Sequence, residues 1–221
     1  MKEFLHTLAV QRWDDHRYYH HSRINQSLHL VSAVSFVVAY GLLFVDPPAA
    51  ALLGWLVSMT TRQAGHFFFE PKGYDRINQA THAYKERIKV GYNLRRKVVL
   101  MAIWAAVPPL LWLRPDVFGL IEPATDLSGL ARDVGWAWLA IGACGLLFRT
   151  LHLCRLQGVR AGLAWMTKIL TDPFHDILLY WRAPGHLLRG QWIDPGDDLM
   201  RHAPVGVSPP PGRFGRRGGG R

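Results

Sequence analysis

Four stretches of the chain are dense in apolar residues, at 28–45, 49–69, 98–113 and 134–153. A helix that crosses a bilayer needs about 20 mostly apolar residues, in a range of roughly 17–25. The first and fourth stretches approach that length, the fourth with Arg149 near its end. The second reaches it by carrying Arg62 and His66 near one end, and the third is short and contains Pro108-Pro109. Four such segments in 221 residues exceed what a soluble core of this size would enclose. The pattern predicts an all-α protein, a multi-pass membrane helical bundle of about four spans.

Shorter stripes flank the spans. Ile77, Ala80, Tyr84, Ile88, Gly91 and Tyr92 recur at mostly three- and four-residue spacing, with Lys85, Arg87 and Lys89 between them. This spacing predicts an amphipathic helix with a basic polar face, suited to an anionic leaflet. Leu163, Met166, Ile169 and Leu170 repeat the pattern. Asp172-Pro173 then reads as an N-cap and first residue of a new helix, with Phe174, Ile177, Leu178 and Trp181 as its stripe. The chain divides into a membrane domain over 1–153, cytoplasmic interfacial helices over 154–202, and a disordered Pro/Gly/Arg tail over 203–221.

Composition alone conceals this organisation. The residues are 49% hydrophobic and the mean hydropathy is +0.03, an average of apolar segments and a basic remainder. The net charge of +10 is unevenly placed. Residues 62–97 carry nine basic and three acidic side chains, and residues 149–221 carry eleven and five. The 114–133 connection carries two basic and four acidic, and the first turn holds only Asp46. Lysine and arginine concentrate on the cytoplasmic side of membrane proteins. The alternation therefore places both termini and the 62–97 loop in the cytoplasm, in an integral membrane protein without a secretory signal. It also argues against a nucleic-acid partner, whose footprint would be one basic patch. Cys144 and Cys154 are ten residues apart on or beside one helix, about 15 Å, too far for a disulfide.

Ionisable groups at membrane depth are functional candidates. His20, His21 and His29 open the first span, and His66 and Glu70 close the second. The short turn at Asp46-Pro47-Pro48 makes these spans antiparallel neighbours, which brings His29 and His66 to one depth. His66 and Glu70 are four apart and share a helix face; His21, Asn25 and His29 are also spaced by four. Either His20 lies about 100° round a continuous helix, or Ser22 caps a new helix and lets His20 fold inward. His20 and His21 both remain candidate ligands, and His82, four residues before Glu86, is another. Imidazoles with a carboxylate suit Fe(II), Zn or Mn. His16, His20 and His21 also match the HxxxHH element of diiron membrane hydroxylases, without their HxxHH boxes. His175-Asp176 reads as ordinary electrostatics near a helix start. The non-catalytic alternative is a membrane protein whose basic surfaces bind anionic lipid or a protein partner.

Residues 19–29, YHHSRINQSLH, and residues 65–70, GHFFFE, resemble the Mpo-type membrane 2-hydroxy-fatty-acid dioxygenases over roughly residues 15–113. The family's Tyr-His pair, Asn and second His fall on Tyr19-His20, Asn25 and His29. Its Gln-x-x-Gly-His-x-x-x-Glu motif falls on Gly65, His66 and Glu70, with Gln63 one residue closer than usual. Where the family usually has Pro-Ala, this chain has Tyr74-Asp75. The resemblance implies a multi-pass enzyme that uses Fe(II) and O2 to shorten long-chain 2-hydroxy fatty acids by one carbon. It implies iron on His20, His29 and His66, Glu70 as a ligand or an orienting group, and Asn25 bonded to a ligand or to the substrate carboxylate. Arg62 or Arg23 would pair with that carboxylate or remain at the interface.

Overall fold

A computed structural model of the chain describes residues 1–70, 72–75, 78–92, 94–195 and 204. Helices dominate, and among the described residues only two isolated β-bridges occur, Ser22 with Ile193 and Asp75 with Ala80. Helix α1 (Lys2–Tyr19) meets α2 (Arg23–Leu42) at a break over His20 and His21. Ser22 makes that break: its side chain accepts from the Asn25 N–H at 3.4 Å and starts α2 as an N-cap. His20 is thereby free to fold inward, as one of the two sequence readings allowed.

The second apolar stretch begins at α3 (Pro47–Leu53), with Asp46 as N-cap and prolines in the first turn, where they cost no hydrogen bond. It continues through a π-helical turn (Gly54–Met59), α4 (Thr60–Ala64) and a second π turn (Gly65–Phe69). The two stretches pack together, as the short connection requires. Pro71 and Ile77 lie outside the described residues. Helix α5 (His82–Ile88) is followed by α6 (Leu94–Leu113), which runs through Pro108-Pro109. Helix α7 (Leu127–Gln157) turns at Gly158 into α8 (Val159–Tyr180), and α9 (Ala183–Leu188) follows. Helix α3 lies so close to α7 that a Cβ on Gly135 would sit 2.6 Å from the Pro48 carbonyl oxygen.

Only α6, over Arg95–Leu113, and α7 are long and apolar enough to cross a membrane among the described helices. The helical class is as expected, and these two helices are its evidence for membrane association. The fused rod from Pro47 to Phe69 and α2 occupy the other two apolar stretches.

Two expectations are corrected. No helix starts at Asp172-Pro173: α8 passes through both, and buried Asp172 accepts from Lys168 Nζ at 2.6 Å rather than capping. The basic amphipathic helix reduces to α5, and its faces are exchanged. Lys85 is fully buried and donates to the Tyr18 carbonyl at 3.1 Å, while Tyr84 is exposed. Lysine satisfied by a carbonyl can be enclosed where a periodicity argument would expose it. The tail from residue 205 onward lies outside the described residues.

Helix α8 is inverted relative to a water-soluble helix. Trp165, Lys168, Asp172, Asp176 and Tyr180, on one face, are buried. Leu163, Phe174, Leu178 and Trp181 are exposed. It packs on α1, α2 and α7, and its polar face looks into the molecule.

Candidate metal centre

Three helical segments deliver three histidines to one point. His20 comes from the α1–α2 break, His29 from the second turn of α2, and His66 from the second π turn. One ring nitrogen of each lies within 4.8 Å of the others. Ring centroids are 4.2 Å apart for His20 and His29, 4.9 Å for His29 and His66, and 5.2 Å for His20 and His66. All three side chains are buried, His29 completely.

Both ring nitrogens of His20 and both of His29 are buried without a hydrogen-bond partner. Buried polar atoms are almost always satisfied, and a neutral imidazole has one donor and one acceptor to place. A cation at the shared point satisfies the acceptors, so these residues fit a metal. Burial pushes the His20 imidazole well below the usual histidine range, which keeps it neutral and able to ligate.

The outer atom of His66 is held from behind. His66 Nδ1 lies 2.8 Å from Glu70 Oε2. His29 Nδ1 lies 3.6 Å from Asp176 Oδ2, beyond hydrogen-bond reach, and that oxygen is taken by Arg62. Carboxylates on the far side of ligating histidines fix the tautomer and raise basicity. Glu70 therefore stands behind His66. Burial raises its pKa, against the lowering pull of Lys89 and Lys97.

Asn25 is completely buried beside the triad, and its Nδ2 donates to the Tyr19 carbonyl at 2.9 Å. A Cβ on Gly65 would lie 2.1 Å from Asn25 Oδ1. Glycine next to His66 is thus what admits Asn25 to the site. The Gly-His pair and Asn25 are one packing unit.

The remaining candidates stand elsewhere. His21 Nε2 meets Asp75 Oδ2 at 3.2 Å and Asn78 Nδ2 at 3.3 Å. His82 lines a small recess with Glu70, Lys89 and Lys97, on the Glu70 side of His66. Neither joins the triad. Both arginines considered for a substrate carboxylate are already paired, Arg62 with Asp176 and Arg23 with Asp194 at 3.1 Å.

Sequence reasoning set Asp176 aside as helix-end electrostatics and missed Tyr180. Tyr180 is buried against His16, His20 and His29, with centroid distances of 5.5, 5.7 and 6.3 Å. The available signal was the polar stripe Lys168, Asp172, Asp176 and Tyr180 at spacing four, which the apolar stripe on the opposite face obscured.

A cavity of about 440 Å3 opens from His66. Its wall includes Ala50, Gly54, Met59, Arg62 and His66 from one face of the second stretch, with Phe36 and Tyr40 of α2. Gly142 and Gly145 of α7 complete it. Sixteen residues of helix separate Ala50 from His66, about 24 Å at 1.5 Å per residue. Lys89 and Lys97 line the same cavity. The walls are largely apolar and the charges include Arg62, Lys168 and Asp15.

The chain matches no protein-family model, no curated protein and no solved structure.

Proposed function

We propose that this protein is a membrane-embedded, iron-dependent dioxygenase that acts on long-chain 2-hydroxy fatty acids or related lipids. The observation that carries the reading is the buried three-histidine cluster, with unpartnered ring nitrogens on His20 and His29, and with His66 lining a largely apolar cavity. The family resemblance of residues 19–29 and 65–70 supports the substrate class. His20, His29 and His66 would hold the ion, with Glu70 orienting His66. A bound Fe(II) would supply O2 activation and a chelating position for an α-hydroxy acid.

The chain's own residues bind and orient the lipid. Phe36, Tyr40, Gly54, Met59 and Gly142 enclose an acyl chain. Lys97 is the cationic group best placed for the carboxylate: it lines the cavity, while Arg62 is engaged by Asp176. Asn25 packs against Gly65 beside the triad and holds the Tyr19 carbonyl next to His20.

Four spans are the topology we infer. Outward-facing Val31, Val34 and Val38 of α2, Leu56 of the second stretch, and Val99 and Phe148 of α6 and α7 are exposed. A monomer in water rarely exposes so much contiguous apolar surface. Its solvent on that side is lipid, with α8 at the interface, apolar face outward. The charge alternation puts both termini in the cytoplasm.

Purified, chelator-free protein in detergent should contain iron and convert a 2-hydroxy fatty acid to a product one carbon shorter under O2. His66→Ala should abolish conversion. Full activity in His66→Ala overturns the reading. A metal-free, inactive protein that still binds fatty acid would make it a lipid-binding membrane protein instead.

A further inference from the structure

A second group of metal-binding side chains adjoins the triad. His16 of α1 and His175 and Asp176 of α8 present donor atoms within 4.8 Å of one another. His16 and Asp176 are buried and His175 is half-buried. His16 Nε2 faces His175 Nδ1 at 3.2 Å. Two nitrogens each about 2.1 Å from one ion at ordinary coordination angles sit about 3.0–3.4 Å apart, so the separation fits two ligands of one cation. The other nitrogen of His16 is hydrogen-bonded to Tyr180 Oη, the arrangement by which ligating histidines are oriented.

An independent observation comes from His20. Its ring is 5.5 Å from that of His16, as well as 4.2 Å from that of His29 and 5.2 Å from that of His66. Both of its nitrogens are buried without a partner. An ion in the triad occupies one of them. The second then carries the N–H and needs an acceptor that no described protein group supplies, and a water or hydroxide bound to an ion in the neighbouring group would accept it. Asp176 joins the two groups, since its Oδ2 also lies 3.6 Å from His29 Nδ1.

We propose that His16, His175 and Asp176 hold a second divalent cation beside the triad ion, so that the centre carries two metals. This rests on the triad reading. The surrounding charge is balanced: Asp15, Asp172 and Asp176 face Arg12, Arg62 and Lys168, so no uncompensated cation repels an added ion. Two neighbouring ions could share the work of binding substrate and stabilising developing charge. The second site would be built from α1 and α8 rather than from the histidine motifs of the first.

The test is metal stoichiometry. The full chain in detergent, prepared without chelators, is titrated anaerobically with Fe(II) alone. Two irons per chain are expected, falling to one in His175→Ala. One iron in both proteins overturns the second site and leaves the triad reading intact. Two irons in both overturns the assignment to these residues. No iron in either overturns the triad reading as well. If His175→Ala does not fold, the unaltered chain decides by Mn(II) titration under electron paramagnetic resonance. Two uptake steps, the second broadening the signal of the first, support the proposal. One class of isolated Mn(II) overturns it.

Discussion

At the residue scale, the site depends on one absent methyl group. Gly65 leaves room for a side chain that is completely enclosed and tied to the Tyr19 carbonyl. We expect Gly65→Ala to destabilise the protein by about 1–3 kcal/mol and to reduce bound metal, as read by thermal melts and elemental analysis. The double variant Gly65→Ala/Asn25→Ala should recover most of that stability, because the two side chains compete for one space and their effects are coupled. Glu70 acts through another atom, holding His66 from behind. Glu70→Gln should weaken metal affinity about 10–100-fold with the fold retained, measured by competition with a chelator. An unchanged affinity would show that His66 is oriented by its helix alone.

At the element scale, the π turns and α8 decide what the helices can present. Two π turns in one rod each shift the helical register, and the second carries His66; such bulges recur at functional sites. Ala50, Gly54, Met59, Arg62 and His66 together line one wall of the cavity. Gly142 of α7 stands opposite Trp55, where an added Cβ would still have 3.9 Å of clearance. A larger side chain there should close part of the cavity. We expect Gly142→Leu to lower affinity for the longest fatty acids by roughly tenfold or more, while shorter ones bind as before. Removing room for a methylene or two is worth about 1–3 kcal/mol. Displacement of a fluorescent fatty acid by a graded chain-length series would read this.

The apolar helices and part of the candidate site were legible in the chain. Apolar runs located the helices, and the tight Asp46 turn forced His29 and His66 to a common depth. The capping residue Ser22 was visible, though its competition with a continuous helix was decided only by packing. Asp176 was not legible, for a physical reason. Apolar residues mark the inside of a protein only when water is outside. On α8 the apolar stripe faces outward and the polar stripe completes the site, so the usual inference runs backwards. Lys85 misled in the same manner, since a carbonyl at 3.1 Å makes its burial tolerable.

At the scale of the whole molecule, the proposed metal site links stability to metal. An ion that binds only the folded chain stabilises it by about 2.7 kcal/mol when free metal is a hundred times its dissociation constant. Chelation should therefore lower the melting temperature, and His66→Ala should remove the difference between metal-loaded and chelated samples. A second linkage involves acid. Burial would raise the Asp75 carboxyl, but hydrogen bonds from His21 and Asn78 outweigh it and hold it well below the usual carboxylate range. A depressed folded value contributes stability that is complete above the unfolded value near 4 and is lost as pH falls below it. Asp75→Asn should flatten the acid limb of a melting-temperature profile and leave its neutral region lower. An unchanged acid limb would assign acid sensitivity to other carboxylates.

The segment after α9 returns to the α1–α2 break. The Asp194 N–H donates to the His21 carbonyl at 2.8 Å, and its carboxylate takes Gln26 Nε2 at 2.8 Å and Arg23 at 3.1 Å. Gln26 also donates to the His20 carbonyl at 2.8 Å. The backbone at His20 is thus clasped by a residue near the other end of the described chain. During synthesis, His20, His29 and His66 leave the ribosome long before Asp176 and Asp194 exist. The ordered centre is therefore among the last features a nascent chain acquires. A half-made chain carries the three histidines without that clasp, so on the proposed reading the ordered metal site forms only after Asp194 has closed on the α1–α2 break.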